Sequence, residues 1–362
     1  MKKVLFTATV DSHIIHFHLP YLKYFKDNGY EVHVSTNGME TIPYCDKKHI
    51  IPYDRNPYKI NNLKAIKQLK AIIDKEHYDI IHTHTPIASA VTRIAALKAR
   101  KNGTKVLYTA HGFHFYKGAP LINWLIFYPI EKILSKYTDY LITINKEDYH
   151  LALTKFKNTK VEYIKGVGVD PNKFNFKMTK QEKHELRKSF GLKDTDYVLI
   201  YSAELNENKN QDMLIKSMQI INKNNPRIHL LLAGIDSYNG KYQDQVKSLG
   251  LESNIHFIGY RKDIPKILKI SNLAVSASKR EGLGLNIVEA LINGLPVIAT
   301  NNRGHRDLIK DGINGYLVEI DDYITMANKI KEISKKNSTN KYDASKFLID
   351  KSLNKVKKLY NK

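Results

Sequence analysis

The sequence contains very little cysteine or tryptophan and no long apolar run. Its 362 residues include one cysteine, Cys45, and one tryptophan, Trp124. A single thiol excludes a disulfide within the chain and fits a reducing cytoplasm. No segment approaches the roughly 20 apolar residues that a membrane-spanning helix needs. The apolar run near the start is also short, so we expect residues 3–9 to form a first strand rather than part of a signal peptide.

Acidic residues are scarce relative to basic ones. The chain has 58 lysines and arginines against 36 aspartates and glutamates, which gives a net charge of +22 spread over both halves. Such a surface favours anionic partners, such as lipid headgroups or phosphorylated ligands, although much of the lysine could serve solubility alone. No module that combines basic and aromatic residues is present, so nucleic acid is not an expected partner.

A G-x-G-x-x-G motif is missing after the first strand of either half, which disfavours a dehydrogenase. Short apolar runs nevertheless alternate with segments of helical periodicity along the whole chain. This alternation predicts an α/β protein with two Rossmann-like units, each built on a parallel sheet. Strands are expected at 3–9, 30–35, 49–53, 79–84, 105–111 and 139–144, and again at 197–203, 228–234, 254–259, 273–278 and 295–300.

The length exceeds that of one ordinary core, which supports a division into domains. We place a first domain at residues 1–170 and a second domain at residues 171–340. The glycines and proline of "KGVGVDPNKFNF" mark the joint. Residues 341–362 are expected to form a basic amphipathic helix, which either packs on the surface or crosses back onto the first domain.

The stretch "SASKREGLGLNIVEALINGLPVIAT", residues 276–300, holds two acids around a glycine loop. Glu281 follows a predicted strand, at the edge of a parallel sheet where ligands usually bind. The loop then enters a helix, whose first N–H groups and positive dipole end suit a phosphate. Glu289 lies about one turn into that helix. The alternative is that both glutamates are ordinary acids near a helix start.

This stretch, continued through residue 318, resembles the donor site of the family-4 retaining glycosyltransferases. The segments "VLFTATVDSHIIHFHLPYL", "DIIHTHTP" and "YTAHGFHFYKG" extend the resemblance over nearly the whole chain. It implies the GT-B fold, in which two Rossmann-like domains face each other across a cleft. The first domain would then lie on the acceptor side, and the second would bind the nucleotide-sugar. It also implies that Glu281 holds the donor sugar and Glu289 the ribose. The residues expected to approach the diphosphate are Gly282, Leu283, Gly284, Leu285 and Asn286.

One part of the pattern departs from this family. An arginine and a lysine five residues later usually bind the diphosphate, and here Lys209 matches the lysine while Glu204 replaces the arginine. We therefore expect Lys209 to act alone or with a nearby basic residue such as Lys279 or Arg280. Glu204 would orient Lys209 or bind another hydroxyl.

Histidines are concentrated in the first half. His111 matches the family histidine that lines the reaction centre, and it could donate to a sugar hydroxyl or transfer a proton. His114 comes from the same loop. His13 and His16 lie in an expected cleft-lining loop, residues 11–20, and are candidates for acceptor contacts. Neither "HIIHFH" nor "HTH" has a known metal-ligand spacing, so we expect no metal and no other cofactor.

The resemblance is strongest to the capsule and exopolysaccharide branch. It implies metal-independent transfer of a sugar, taken here as an N-acetylhexosamine, from a UDP-sugar to an undecaprenyl-diphosphate-linked glycan. The enzyme would be cytoplasmic and peripheral at the inner face of the cell membrane, on an anionic surface. The aromatic segment 113–137 would either form a partly hydrated interface near the lipid acceptor or be a helix of the core. The alternative functions are a UDP-sugar 2-epimerase of the same fold and a basic membrane-binding protein without catalysis.

Overall fold

The computed structural model of the chain describes residues 1–336 and 344–362. It contains two compact units: Met1–Gly168 together with Ile349–Lys362, and Val169–Leu348. The joint expected after residue 170 lies close to the first division. The boundary expected between residues 340 and 341 lies outside the described residues.

The first unit is built on a seven-stranded parallel sheet with the strand order β3-β2-β1-β4-β5-β6-β7. Helices cross between successive strands except between β2 and β3, which a loop at residues 37–46 connects. The elements are β1 Lys3–Thr7, α1 Asp11–Phe17, α2 Leu19–Asp27, β2 Glu31–Thr36, β3 Lys47–Ile50, α3 Asn61–Glu76, β4 Ile80–His84, α4 Pro86–Ala95, α5 Leu97–Lys101, β5 Lys105–Ala110, α6 Leu121–Leu134, β6 Tyr140–Thr143, α7 Lys146–Lys155 and β7 Lys160–Tyr163, with a short 3₁₀ turn at Ser135–Tyr137.

The second unit has a six-stranded parallel sheet with the order β10-β9-β8-β11-β12-β13. Its elements are α8 Lys180–Ser189, β8 Tyr197–Ser202, α9 Gln211–Asn222, β9 Ile228–Ala233, α10 Lys241–Ser248, β10 Ile255–Gly259, α11 Ile264–Ile270, β11 Leu273–Ser276, α12 Leu285–Ile292, β12 Val297–Thr300, α13 Arg303–Leu308, β13 Gly315–Val318 and α14 Tyr323–Ser334, with 3₁₀ turns at Pro171–Lys173 and Ser345–Phe347. The prediction of two Rossmann-like α/β units is therefore confirmed.

The final helix, α15 Ile349–Asn361, belongs to the first unit. The Tyr360 hydroxyl lies 2.6 Å from Nδ1 of the buried His82, and its carbonyl accepts from Lys105 Nζ at 2.8 Å. The Ser352 hydroxyl donates to the Gly166 carbonyl at 2.8 Å. Of the two predicted arrangements, the structure has the one in which the chain crosses back.

Three local predictions are wrong. The strand expected at 49–53 lies earlier, at Lys47–Ile50, and the edge strands β7 and β13 were not predicted. Residues 11–20 form the helices α1 and α2 rather than a loop. The Asp11 carboxylate fixes the start of α1, since it accepts from Thr36 Oγ1 at 2.5 Å and from Lys48 Nζ at 2.8 Å.

Candidate functional site

Two loops at the carboxyl ends of the neighbouring strands β8 and β11 form the centre of the site in the second unit. The Lys279 N–H donates to the Asn208 carbonyl at 2.8 Å, and the Asn208 side-chain amide donates to the Arg280 carbonyl at 3.0 Å. The buried Tyr201 hydroxyl donates to the Lys209 carbonyl at 2.9 Å. These bonds fix the loop that carries Lys209 to the loop that carries Glu281.

Lys209 and Glu281 form an ion pair. Lys209 Nζ donates to Glu281 Oε1, and the two side chains are 25% and 14% exposed. Burial raises the pKa of Glu281, but the charge and hydrogen bond of Lys209, together with His305 and Ser278, outweigh this effect and hold the pKa below its ordinary value. The expected phosphate-binding cation and the expected sugar-binding acid are thus already in contact, a pairing that the sequence did not predict.

Glu204 lies apart from this pair. Its carboxylate is exposed and accepts a hydrogen bond from the Ser237 hydroxyl, while its carbonyl accepts from the Gln211 side chain at 2.9 Å. The alternative in which Glu204 orients Lys209 has no contact to support it among the described residues. The alternative in which Glu204 binds a ligand hydroxyl stays a prediction.

The glycine loop 282–284 lies against the turn that begins α13. Gly284, the residue before α12, has φ +90°, and a Cβ there would lie 3.1 Å from the His305 ring. A Cβ on Gly304 would lie 2.9 Å from the Glu281 carbonyl and 2.9 Å from the Leu283 nitrogen. A side chain at Gly284 or Gly304 would therefore force the loop to move. They leave the N-terminus of α12 beside Glu281, where its free N–H groups can face an anion.

His305 is a site residue that the sequence analysis missed, although "NNRGHRDL" falls inside the resembling segment. It is fully buried, and its Nδ1 lies 2.8 Å from the Thr300 carbonyl. Burial lowers the pKa of His305 to about 4, so the ring is neutral at pH 7. Nδ1–H then donates to Thr300, and the unprotonated Nε2 lies on the other side of the ring.

Glu289 occupies the second turn of α12. It is half-buried, and no described residue forms a hydrogen bond with its carboxyl group. Burial raises the pKa of Glu289 to about 7, and the charge of Lys173 offsets part of this effect. A carboxyl group that forms no hydrogen bond with a described residue, close to a helix N-terminus, is suited to a pair of ligand hydroxyls.

In the first unit, His13 and His111 are brought together. Their Nε2 atoms lie 3.1 Å apart. Burial lowers the pKa of His111 to about 4, so this ring is neutral at pH 7 and can accept or donate one hydrogen bond. The proton-transfer role considered for His111 is therefore less suited to it than hydrogen bonding to a hydroxyl.

A cavity of about 290 Å³ opens beside these histidines in the first unit. Its lining residues are Thr9, Val10, His13, Arg55, Thr85, Pro86, Ile87, His114 and Phe127. The His114 ring stacks on Phe127 with ring centroids 4.6 Å apart. Thr85 has the strained φ of +63° and is held there by the Thr9 hydroxyl at 2.8 Å. Backbone strain of this kind is concentrated at functional sites, and the cavity has the size of a small ligand.

His16 does not join this group. It is exposed, and its Nδ1 lies 2.6 Å from the Ser12 carbonyl of its own helix. His18 and His84 lie beside His13 instead, with the His18 and His84 rings stacked at a centroid distance of 3.6 Å. The sequence did contain a signal for this grouping of histidines. The segments "HIIHFH" and "HTH" lie at the carboxyl ends of β1 and β4, which are neighbours in the sheet.

The aromatic segment 113–137 is divided between core and surface. Phe113 and Phe115 are buried in a cluster against which Trp124, Phe127 and Tyr128 pack. The exposed side of α6 is aliphatic, and Leu121 and Leu125 are 73% and 64% exposed. Phe113 and Phe115 thus lie in the core, Trp124, Phe127 and Tyr128 are only partly buried, and the interface near a lipid acceptor stays a prediction.

Comparisons with known proteins agree with this architecture. Residues 182–346 match the family model described as "Glycosyl transferases group 1". Residues 3–145 match the model described as "Glycosyl transferase 4-like". The matched segments correspond to the second and first units.

Individual proteins resemble the chain over most of its length. The putative glycosyltransferase EpsD of Bacillus subtilis is 45% identical over 92% of this chain and 87% of its own. The Escherichia coli UDP-Gal:alpha-D-GlcNAc-diphosphoundecaprenol alpha-1,3-galactosyltransferase is 31% identical over 84% of this chain and 81% of its own. Anabaena HepE, crystallised with UDP, covers all of both chains with a TM-score of 0.78 at 20% identity, which shows a shared fold. The chain therefore belongs to the family-4 glycosyltransferases of the GT-B fold.

Proposed function

We propose that this glycosyltransferase moves an N-acetylhexosamine from a UDP-sugar to a hydroxyl of an undecaprenyl-diphosphate-linked glycan, with retention of configuration. The enzyme would act in capsule or exopolysaccharide synthesis at the inner face of the cell membrane. The observation that carries the proposal is the Lys209–Glu281 pair beside the N-terminus of α12, with Glu289 one turn further on. This arrangement supports the proposal because a nucleotide-sugar has the matching order of parts: a sugar for Glu281, a diphosphate for Lys209 and the helix N-terminus, and a ribose for Glu289.

The named relatives support the lipid-linked acceptor and the donor class. The E. coli relative is named for a UDP-galactose donor and a diphosphoundecaprenol acceptor, and HepE was crystallised with UDP. A screen of donor sugars tests the choice of N-acetylhexosamine.

The chemical problem is departure of the diphosphate from the anomeric carbon. We propose that Lys209 and the first N–H groups of α12 stabilise the negative charge that develops on the leaving oxygen. Glu281 holds the sugar through its hydroxyls. Since Glu281 is paired with Lys209, it is not placed as a free nucleophile. The acceptor oxygen therefore attacks from the side of the leaving group, and a donor phosphate oxygen takes the acceptor proton.

The transfer step itself is proposed to proceed without a metal at the diphosphate. Lys209 supplies a fixed positive charge in the second unit. The groups of imidazole and carboxylate that could hold an ion all lie in the first unit, as far as the described residues extend. Activity that survives EDTA after dialysis would agree with this proposal, and loss of activity restored by added Mg²⁺ would contradict it.

The function is tested by a thermal-shift screen against UDP-, GDP- and TDP-sugars, followed by transfer to a lipid-linked acceptor. We expect stabilisation by UDP-N-acetylhexosamines and a product one sugar longer with the anomeric configuration of the donor. If the UDP-sugar were instead epimerised in the absence of acceptor, with no change in its mass, the protein would be the 2-epimerase. Vesicle binding with no donor binding would indicate the non-catalytic alternative.

Donor affinity is expected to increase with pH because of Glu289. A carboxyl with a pKa of about 7 is mostly protonated at pH 6 and mostly ionised at pH 8. Hydroxyls of the ribose donate to the ionised form, so binding releases a proton and the Kd of UDP-GlcNAc should fall by roughly tenfold between these pH values. Isothermal titration at several pH values measures this change.

Glu289→Gln is the matched control for that titration, since it keeps the shape and loses the ionisation. Its donor affinity should be weaker and independent of pH between 6 and 8. An unaltered pH slope in Glu289→Gln would assign the titration to another group.

Peripheral membrane binding is supported by the exposed aliphatic side of α6. Leu121, Leu125 and Ile133 project from a helix in a strongly basic protein. No helix in the described parts of the chain is long and apolar enough to cross a bilayer. An apolar strip with surrounding positive charge is the pattern of helices that lie in the headgroup region.

The double substitution Leu121→Asp and Leu125→Asp should therefore weaken binding to phosphatidylglycerol vesicles by at least about tenfold, because each exposed leucine contributes about 1–2 kcal/mol when it enters the interface. Vesicle sedimentation measures the effect. Ile235→Asp and Ile313→Asp remove similarly exposed aliphatic residues from the second unit and should leave binding unchanged. Equal losses in both double variants would show that α6 is not the docking element.

A further inference from the structure

Four histidines from separate segments of the first unit converge at the carboxyl ends of its central strands. His13 and His18 come from α1 and the residue that follows it, His84 ends β4, and His111 follows β5. One ring nitrogen from each can be chosen so that all four lie within 4.8 Å of one another. No acid lies within this group, so the cluster is a set of imidazoles alone.

Two of these rings are buried without protein partners. His18 is 1% exposed and His84 is 0% exposed, and neither ring nitrogen of either residue forms a hydrogen bond with a described residue. A neutral imidazole always carries one N–H, and leaving a buried donor unsatisfied costs about 1–3 kcal/mol. By contrast, both ring nitrogens of the neighbouring His82 are satisfied, by Thr109 and Tyr360.

The spacing of the nitrogens is close to that of a metal site. Four nitrogens at about 2.0–2.1 Å from one Zn²⁺ in a tetrahedron are about 3.3 Å apart. The His13 and His111 Nε2 atoms are 3.1 Å apart, and the stacked His18 and His84 rings complete the group. The four chosen nitrogens lie within 4.8 Å of one another, and metal binding would require the stacked His18 and His84 rings to turn so that one nitrogen of each points at the ion.

We propose that His13, His18, His84 and His111 bind one divalent transition-metal ion, of which Zn²⁺ is the test case. Imidazole is a good ligand for zinc, copper, nickel and iron, whereas magnesium and calcium require oxygen ligands. The ion would connect α1, the segment that starts α2 and the ends of β4 and β5. It would also fix the orientation of His111. The sequence analysis predicted no metal because the histidines lack a known ligand spacing along the chain. The ligands proposed here are instead brought together from the ends of neighbouring strands.

The test uses the full-length protein without a polyhistidine tag, produced in zinc-supplemented medium and analysed by inductively coupled plasma mass spectrometry. We expect about one zinc per chain. In the stripped protein, Co²⁺ should give the intense visible absorption of a tetrahedral site. His18→Leu and His84→Leu should each lose the cobalt band and weaken zinc binding by at least the roughly 10–100-fold that loss of a supporting residue costs.

The stability of the same variants separates a metal site from an ordinary core. In EDTA, leucine at position 18 or 84 should be neutral or stabilising, because it removes an unsatisfied polar group. In zinc, the unaltered protein should gain melting temperature and the variants should not. His49→Leu removes a ligand from the other His and Glu group of the first unit, formed with His33 and Glu76, and His150→Ala removes an exposed histidine. Both controls should retain the zinc.

The proposal is overturned if the stripped protein takes up no zinc or cobalt, or if His18→Leu and His84→Leu bind zinc as tightly as the unaltered chain. Loss of the metal in His49→Leu alone would assign it to the other group. These measurements do not depend on sugar transfer, so their failure and that of the proposed function can be told apart.

Discussion

Replacing Lys209 with alanine is expected to lower kcat for sugar transfer by about 100- to 1000-fold. The expected loss is that of removing one preorganised group that stabilises charge in the transition state. Lys209 is held by its loop, through the Tyr201 bond to its carbonyl, and by Glu281 at its side chain. In the proposed mechanism the Lys209 charge faces the leaving diphosphate, so UDP affinity should fall as well. Steady-state transfer assays and titration with UDP measure the two effects.

Lys336→Ala is the matched control for this substitution. Lys336 also belongs to the second unit and pairs with Glu332, but the pair is exposed and distant in sequence from the donor loops. Its removal should leave kcat and UDP affinity unchanged, since exposed pairs contribute little. A Lys209→Ala enzyme with normal kcat would remove the lysine from the mechanism and leave the helix N-terminus as the main stabiliser of the diphosphate.

Replacing Glu281 with alanine is expected to lower kcat/KM by about 10- to 100-fold, which corresponds to loss of hydrogen bonds between a charged carboxylate and sugar hydroxyls. The effect on UDP alone should be opposite. Without Glu281, the Lys209 ammonium loses its only charged partner in the described structure and is free for the diphosphate, so UDP should bind as tightly or more tightly. This contrast distinguishes a sugar ligand from a merely structural acid.

Two further variants complete the comparison. Glu281→Gln keeps hydrogen-bonding atoms without the charge and should recover part of the kcat/KM. Glu332→Ala removes the acid of the exposed pair and should have no effect. If Glu281→Ala weakened UDP and UDP-sugar equally, the residue would act only by organising the loop. If transfer were unchanged, the assignment of Glu281 to the sugar would be wrong.

Much of the fold was predictable because it rests on short-range patterns. Buried parallel strands such as β8 and β12 are largely apolar runs, and the apolar residues of the helices recur every three to four residues. The edge strands β7 and β13 were missed because their residues are partly exposed and mixed in character. The loop expected at residues 11–20 became helix because the Asp11 carboxylate is bound by Thr36 and Lys48, which lie far along the chain.

The sequence by itself determined the family and the chemical types at the donor site, since Glu281, the glycine loop and Glu289 form one local pattern after a strand. Only the tertiary structure decided which groups touch. Lys209 and Glu281 are 72 positions apart, and His13 and His111 are 98 apart. Parallel strands bring the ends of distant segments to one edge of a sheet, and the order of the strands is fixed by the packing of the whole sheet. For this reason the ion pair, His305 beneath Gly284 and the buried histidine cluster could not be obtained from local spacing.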